Sequence, residues 1–123
     1  MSTMSKVLIA DDSATQVALI QSAVSGAGHV AIVATNGDEA LRLAASEKPA
    51  LILLDVVMPN VDGFQVCRKL RKQPETANTP IVLVTSKTQE TDRFWGLRQG
   101  ANDYVMKPFE TKALVDIIRK HIG

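Results

Sequence analysis

Five short apolar runs alternate with five segments of helical periodicity, and this alternation limits the folds that the 123 residues can adopt. The run Leu51–Leu54 contains four aliphatic residues and no polar position, as is typical of a strand that is buried on both faces. Strands that alternate with helices favour a parallel sheet, wrapped by helices on both faces through right-handed crossovers. We therefore predict one α/β domain over residues 1–123, with a doubly wound, five-stranded parallel sheet and five helices. The predicted strands are 7–10, 30–34, 51–54, 81–84 and 104–106, and the predicted helices are 14–25, 38–47, 63–73, 89–99 and 110–121.

The overall charge and the lack of long apolar runs argue against several classes of function. A net charge of +1 gives no electrostatic reason to expect nucleic acid or a membrane surface as a partner. No apolar run reaches membrane-spanning length, and residues 1–6 lack the apolar core of a signal peptide. The single cysteine, Cys67, excludes an internal disulfide and fits a reducing cytoplasm, where we expect a monomer. The initial Met and the complete final helix favour a whole gene product.

The cysteine and the two histidines are residue types that often take part in catalysis, but we predict no catalytic role for them here. Cys67 lies between Val66 and Leu70 on an amphipathic segment, so it is interpreted as a small core residue rather than a reactive thiol. His29 lies at a turn and His121 in the terminal helix, both far in sequence from the acidic residues. We expect both histidines to be solvated surface residues without a catalytic role.

Polar groups stand at the carboxyl ends of four of the five predicted strands. These groups are the pair Asp11 and Asp12, then Asp55, Thr85 and Lys107. In open α/β sheets, ligands bind outside the carboxyl ends of the strands, at the point where the winding reverses. We therefore expect these side chains to meet at one edge of the sheet and to form a binding site.

Three carboxylates at that edge would repel one another. At roughly 4 Å and an effective dielectric constant near 20, each like-charge pair costs about 4 kcal/mol. A divalent cation removes this cost, and oxygen ligands such as Asp11, Asp12 and Asp55 favour Mg²⁺ over zinc. Lys107 adds a compact cation and Thr85 a hydroxyl donor. These groups suit a phosphoryl group on Asp55, because phosphoryl transfer needs mainly positioning and charge neutralisation.

These motifs resemble the receiver domain of two-component response regulators, and the resemblance covers residues 6–122. It is carried by the pair Asp11-Asp12, the segment Asp55-x-x-Met58-Pro59-x-x-Asp62-Gly63, the pair Thr85-Ser86, and Lys107-Pro108-Phe109. The resemblance implies a flavodoxin-like fold with strand order 2-1-3-4-5. It also implies a cis peptide bond before Pro108.

The resemblance further implies a role for each residue of the acidic edge. Asp55 would accept a phosphoryl group from a histidine kinase, and Lys107 would pair with the phosphate. Asp11, Asp12, Asp55 and the backbone carbonyl of Val57 would bind Mg²⁺. The protein would then be a switch that catalyses only its own phosphorylation and dephosphorylation, rather than an enzyme with an external substrate.

The same resemblance implies a surface that responds to phosphorylation. Thr85 would move toward the phosphoryl oxygen and let Tyr104 turn inward, although Tyr104 is equally compatible with plain packing. The fourth helix, fifth strand and fifth helix would then present a changed surface to a protein effector. On the predicted fourth helix, Trp95 falls on a mostly polar face, which favours a partner surface there. Phe94, Leu97 and Ala101 share a different stripe.

Three positions depart from the commonest family pattern. Val57 offers a metal only its carbonyl and cannot orient a hydrolytic water, and Lys87 places a second cation near the phosphate. Both departures predict a long-lived aspartyl phosphate, while Asn60 stands where glycine is frequent. Residues 91–101 resemble stand-alone receivers of type IV pilus, chemotaxis-like pathways.

Other interpretations fit less well. A Mg²⁺-dependent phosphatase with an aspartyl nucleophile would carry an Asp-x-Asp motif after the first strand and a substrate cap. A flavodoxin-like binding protein would need a phosphate-cradling loop where Asp11-Asp12-Ser13 has the wrong charge. An inert interaction module is disfavoured because all five key positions are present. Direct action on a motor or scaffold and service as a phosphate sink are both compatible with the sequence.

Overall fold

The structure is a computed structural model, and it describes residues 4–58, 62–86 and 90–123, apart from the side chain of Glu90. The strands pair in parallel in the order β2-β1-β3-β4-β5. The predicted fold class and strand order are confirmed, and each observed end lies within one residue of the predicted one. No helix in the described ranges is long and apolar enough to cross a membrane. The strands are β1 (Lys6–Ala10), β2 (Val30–Ala34), β3 (Leu51–Leu54), β4 (Ile81–Thr85) and β5 (Asp103–Met106), and the helices are α1 (Ala14–Gly26), α2 (Gly37–Glu47), α3 (Gly63–Lys72), α4 (Glu90–Arg98) and α5 (Thr111–Ile122).

Strand β3 is the centre of the sheet and is buried on both faces. Leu51 and Leu53 pack in the apolar cluster that includes residues of α1 and α5. Ile52 and Leu54 pack in the opposite cluster, which includes residues of α2 and α3. All four side chains are at most 1% exposed, and burial of each contributes about 1.5–3 kcal/mol. The residue that follows β3, Asp55, is therefore attached to a fully buried central strand.

Polar caps begin the helices that follow the first three strands. Each cap accepts a hydrogen bond from a backbone N–H of the first helical turn, which would otherwise lack a partner. The two caps nearest the acidic edge belong to α1 and α3, so they fix where both chain segments leave that edge. The pairs are Ser13 with the Gln16 N–H (3.3 Å), Asn36 with the Glu39 N–H (2.8 Å) and Asp62 with the Phe64 N–H (2.9 Å).

The prediction that both histidines are solvated surface residues is wrong. His29 is only 5% exposed, because its ring joins two distant segments. Its Nδ1 accepts a hydrogen bond from the Ser5 N–H at 3.0 Å, and its Nε2 lies 3.1 Å from the carbonyl oxygen of Gly123. Since Nδ1 accepts, Nε2 carries the proton and donates to Gly123.

His121 is half-buried rather than solvated, because it contacts the start of β5. Its Nε2 lies 3.0 Å from Oδ2 of Asp103, which also accepts a hydrogen bond from Lys120 at 2.9 Å. Partial burial disfavours the charged carboxylate, but the bonds from Lys120 and His121 outweigh it and lower the pKa of Asp103. The end of α5 is therefore tied to the sheet.

Cys67 is a core residue, as predicted. It is fully buried in the cluster between α2, α3 and the sheet. Burial raises the pKa of its thiol to about 11, although the positive charge of the nearby Arg71 acts in the opposite direction. Because only the thiolate is a strong nucleophile, this cysteine is suited to packing and not to chemistry.

Candidate metal and phosphoryl site

The parallel register of β1 and β3 brings the first two acidic positions together. Ala10 and Leu54 are register partners, and the N–H of Asp55 donates to the carbonyl oxygen of Ala10 at 2.9 Å. Asp11 and Asp55 therefore follow neighbouring strands at the same carboxyl edge. Because the last four residues of each strand are buried, neither aspartate can move far without disturbing the sheet.

Three carboxylates converge at this edge, as the sequence predicts. Each of Asp11, Asp12 and Asp55 offers an oxygen, and these oxygens all lie within 4.8 Å of one another. Asp11 is 1% exposed and Asp55 is 7% exposed, whereas Asp12 is exposed to solvent. An all-oxygen donor set with one solvated member fits Mg²⁺, which usually takes one or two carboxylates and keeps several waters.

Backbone amides orient the two buried carboxylates. Oδ1 of Asp11 accepts a hydrogen bond from the Ser13 N–H at 2.9 Å, and Oδ1 of Asp55 accepts one from the Val57 N–H at 3.0 Å. The second oxygen of each carboxylate, Oδ2, faces Lys107. These bonds fix the carboxylate planes, so the site is ordered by the loops that leave β1 and β3.

Lys107 supplies the positive charge between the two buried carboxylates. Its Nζ lies 2.6 Å from Oδ2 of Asp11 and 3.2 Å from Oδ2 of Asp55, and its side chain is only 10% exposed. The backbone N–H of Lys107 donates to the carbonyl oxygen of Thr85 at 2.8 Å, which ties the end of β5 to the end of β4. The peptide bond to Pro108 is cis, as predicted.

Thr85 and Val57 complete the set of predicted site residues within the described chain. Thr85 ends β4 and is fully buried. Val57 lies in the loop after Asp55 and forms an isolated antiparallel bridge with Asp62, the cap of α3. Its side chain is 51% exposed, so only its backbone belongs to the acidic edge. Pro59, Asn60 and Lys87 lie outside the described residues.

Comparison with known proteins identifies the family to which this arrangement belongs. Residues 7–119 match the response regulator receiver domain. The chain belongs to the response regulator receiver family. It is 44% identical over 115 residues to protein PilH of Pseudomonas aeruginosa, covering 94% of this chain and 95% of PilH. The receiver resemblance of the sequence motifs is thereby confirmed, and the chain is a receiver domain of two-component signalling.

Solved receiver structures agree with this assignment. A response regulator from Chloroflexus aurantiacus matches with a TM-score of 0.92 and 32% identity, covering 98% of both chains. The receiver domain of the sensor histidine kinase PA1611 from Pseudomonas aeruginosa matches with a TM-score of 0.90 and 28% identity, covering 98% of this chain and 99% of the other. That structure contains a magnesium ion coordinated in its active site cleft.

Tyr104 of this receiver is half-buried against α4. A Cβ built at Gly96 would lie 3.4 Å from Cδ2 of the Tyr104 ring, and the ring also packs on the core cluster. Burial, followed by the negative charges of Asp92 and Asp55, raises the pKa of Tyr104 to about 12. The ring therefore packs against α4, and its role in coupling the acidic edge to that helix stays a prediction.

The stripes predicted for α4 do not describe how the helix packs. Phe94 and Leu97 are 58% and 41% exposed, much like Trp95 at 56%, and the residue that is buried against the sheet is Gly96. A Cβ at Gly96 would lie 2.5 Å from Cδ1 of Leu83, so α4 approaches β4 closely through this glycine. The close approach turns three large apolar side chains toward solvent.

Trp95 is 56% exposed, and its predicted role in a partner surface stays a prediction. With Asp62, Phe64, Gln65, Arg68 and Gln99, it lines a groove between α3 and α4. One side of Trp95 thus borders α3. Met106 of β5 is 51% exposed, and it is an apolar surface residue that the sequence patterns do not predict.

Gly63, at the start of α3, shapes the loop after Asp55, although the sequence patterns do not predict this role. The Gly63 N–H donates to the carbonyl oxygen of Val56 at 2.9 Å. A Cβ at this position would lie 2.2 Å from Cα of Val56 and 2.5 Å from the carbonyl oxygen of Asp55. The glycine of the Asp62-Gly63 motif is therefore required by the close approach of two backbones.

Proposed function

We propose that this receiver is a switch operated by phosphorylation of Asp55. The observation that carries the proposal is the convergence of three carboxylates within 4.8 Å, two of them bonded to the buried ammonium of Lys107. Burying such a cluster costs folding free energy, so its presence favours a role in metal or phosphoryl binding. The phosphoryl donor is a histidine kinase, as the receiver assignment supports.

The residues of the edge have distinct roles in the transfer. An oxygen of Asp55 attacks the phosphorus of a phosphohistidine, and an O–P bond forms as the P–N bond breaks. The released imidazole keeps the electron pair and takes a proton from solvent. Lys107, already within hydrogen-bond distance of Asp55, pairs with the new phosphoryl oxygens. Asp11, Asp12, Asp55 and the Val57 carbonyl would hold Mg²⁺, which would supply further charge neutralisation.

The signal leaves through the face formed by α4, β5 and α5. Thr85 is buried and is the register partner of Met106 in β5, and Tyr104 packs against α4 near Gly96. A shift of Thr85 toward the phosphoryl group changes the space available to Tyr104, which in turn alters the α4 surface read by a protein effector. Residues 91–101 resemble type IV pilus receivers, and the identity to PilH is 44%, which together support a role in such motility signalling in the cytoplasm.

The positions of the acidic residues differ from those expected of an aspartyl phosphatase. The acidic pair after β1 is adjacent, and the candidate nucleophile ends β3 instead. We therefore expect one phosphoryl group per chain and no turnover of an external substrate. The predicted second cation, Lys87, would add to a long lifetime of the aspartyl phosphate.

Phosphate incorporation from acetyl phosphate tests the proposal. The wild-type chain is expected to gain one phosphoryl group, measured by intact-mass spectrometry, with Mg²⁺ but not with EDTA. Asp55→Asn is expected to abolish the gain, while the exposed control Asp38→Asn leaves it unchanged. Incorporation into Asp55→Asn at the wild-type level, or Mg²⁺-independent incorporation, would refute the assignment.

The charge of Asp12 gives a second prediction. In EDTA, Asp12→Asn is expected to raise the free energy of unfolding by about 1 kcal/mol, because one exposed like charge is removed from the cluster. The variant is also expected to lose most of the Mg²⁺-dependent stabilisation, since it loses a ligand. Urea unfolding with EDTA and with Mg²⁺ measures both effects.

The control for this experiment is Asp38→Asn in the first turn of α2. That substitution removes a charge that is favourable at a helix N-terminus, so a loss of about 0.5 kcal/mol is expected in both solutions. A destabilised Asp12→Asn chain, or one with the full Mg²⁺ effect, would contradict the assigned role.

A further inference from the structure

The groove between α3 and α4 has a lining that combines aromatic rings with charged groups. Its volume is about 360 Å³, and Trp95 and Phe64 lie beside Asp62, Gln65, Arg68 and Gln99. Trp95 is 56% exposed. It also borders a hollow of about 520 Å³ on the outer side of α4, next to Phe94 and Leu97. An exposed tryptophan that borders two adjoining hollows, each with a further aromatic ring, points to a contact site.

The lining carries one positive and one negative side chain, Arg68 and Asp62, but the helix that forms one wall of the groove is basic. Helix α3 contains four basic residues and no acidic one. Among the described side chains, no ion pair involves Arg68, Lys72 or Arg98. Arg98 lies over the ring of Phe94, with its guanidinium carbon 5.5 Å from the ring centroid. The chain as a whole carries only +1, so this basic character is local.

We propose that the α3–α4 groove binds an acidic amphipathic helix of a partner protein. An apolar side chain of that helix packs between Trp95 and Phe64, and its carboxylates pair with Arg68 and Arg98. Helices commonly bind in this way, with apolar anchors in a groove and charges at the rim. The lining contains two aromatic rings and the carboxylate of Asp62, which would repel phosphates, so it suits a peptide better than a nucleic-acid backbone.

The groove is connected to the phosphorylation site, and the regulatory part of the inference rests on the proposed function. Asp62, at the rim, forms a bridge with Val57, and the next residue, Gly63, bonds to Val56. Both contacts lie in the loop that leaves Asp55. A change at Asp55 is therefore transmitted to the start of α3, and partner binding changes phosphorylation in return.

Selection from a phage-displayed library of helical peptides tests the groove directly. The unphosphorylated full-length chain is the bait, so the result does not depend on phosphoryl transfer. The expected result is enrichment of peptides with apolar residues at helical spacing and Asp or Glu beside them. Binding of an enriched peptide is then measured from the fluorescence of Trp95, the only tryptophan in the chain, and its position is mapped by amide chemical shifts.

Three variants make the test specific. Trp95→Ala is expected to weaken binding of the enriched peptide by about 30-fold, measured by calorimetry, as for a central aromatic anchor. Arg68→Glu is expected to weaken it by about 10-fold and to improve binding of the charge-reversed peptide. Leu19→Ala changes an exposed leucine on α1 and is expected to have no effect. Melting curves and acetyl phosphate labelling of each variant confirm that fold and phosphorylation are intact.

The remaining outcomes overturn the proposal. These are the absence of enrichment over a Trp95→Ala bait, enrichment of basic peptides, shifts confined to β5 and α5, and preferential binding of duplex DNA in the fluorescence assay. If labelling of Asp55 fails while the peptide still binds in the groove, the proposed function is wrong and the binding site stands. If the peptide binds equally before and after phosphorylation, the regulatory coupling is wrong.

Discussion

Lys107→Met is expected to destabilise the metal-free protein by about 3 kcal/mol, because it leaves two buried carboxylates without their cation. The ammonium of Lys107 lies 2.6 Å from Asp11 and 3.2 Å from Asp55, and its side chain is 10% exposed. Methionine keeps a side chain of similar length but removes the charge. Urea unfolding in EDTA measures the loss, and Mg²⁺ is expected to restore more stability to the variant than to the wild type.

The same variant is expected to take up phosphate from acetyl phosphate on the order of 100-fold more slowly, as when one positioned donor to a developing charge is removed. Lys112→Met is the matched control. Lys112 pairs with Asp116 at 3.0 Å, but both side chains are more than half exposed, so its loss costs at most about 0.5 kcal/mol. Equal stability and equal labelling of Lys107→Met and Lys112→Met would contradict the role assigned to Lys107.

Gly63→Ala is expected to destabilise the protein by about 3 kcal/mol or more, because the added methyl group overlaps backbone atoms on the facing segment. The Cβ of an alanine at position 63 would lie 2.2 Å from Cα of Val56 and 2.5 Å from the carbonyl oxygen of Asp55. No rotamer change relieves a clash with backbone, so α3 or the loop after Asp55 must move. We therefore also expect weaker Mg²⁺ binding and slower phosphorylation in the chains that remain folded.

Gly26→Ala provides the comparison. There the added Cβ would lie 3.7 Å from Cγ2 of Val115, which is an ordinary contact. At this helical position alanine is expected to be neutral or to stabilise by a few tenths of a kcal/mol, since it restricts the unfolded chain. Thermal and urea unfolding of both variants give the comparison. A Gly63→Ala chain as stable as Gly26→Ala would show that the segment after Asp55 can move freely.

Much of the fold and the centre of the candidate site follow from local sequence patterns. The run Leu51–Leu54 is apolar at every position. That pattern alone predicts a strand whose two faces are both buried. Asp11, Asp55, Thr85 and Lys107 each end a strand or follow one directly. Parallel strands place their carboxyl ends at one edge, so the convergence of these side chains follows from topology and not from fine packing.

The orientation of α4 could be decided only by the tertiary structure. Its apolar residues do not form one buried stripe, and Phe94, Trp95 and Leu97 are all exposed. The helix faces the sheet through Gly96, because at that position a side chain would collide with Leu83 of β4. This contact joins two segments that are distant in sequence. The apolar periodicity of either segment therefore could not predict it.

The sequence by itself determined the α/β alternation, the central strand and the acidic edge, because each depends on the residue types within a short segment. Only the tertiary structure decided the burial of His29, the requirement for Gly63 and the direction of Trp95. Each of these depends on the distance between segments that fold together. His29 is buried by contacts with Ser5 and Gly123, residues at the two ends of the chain.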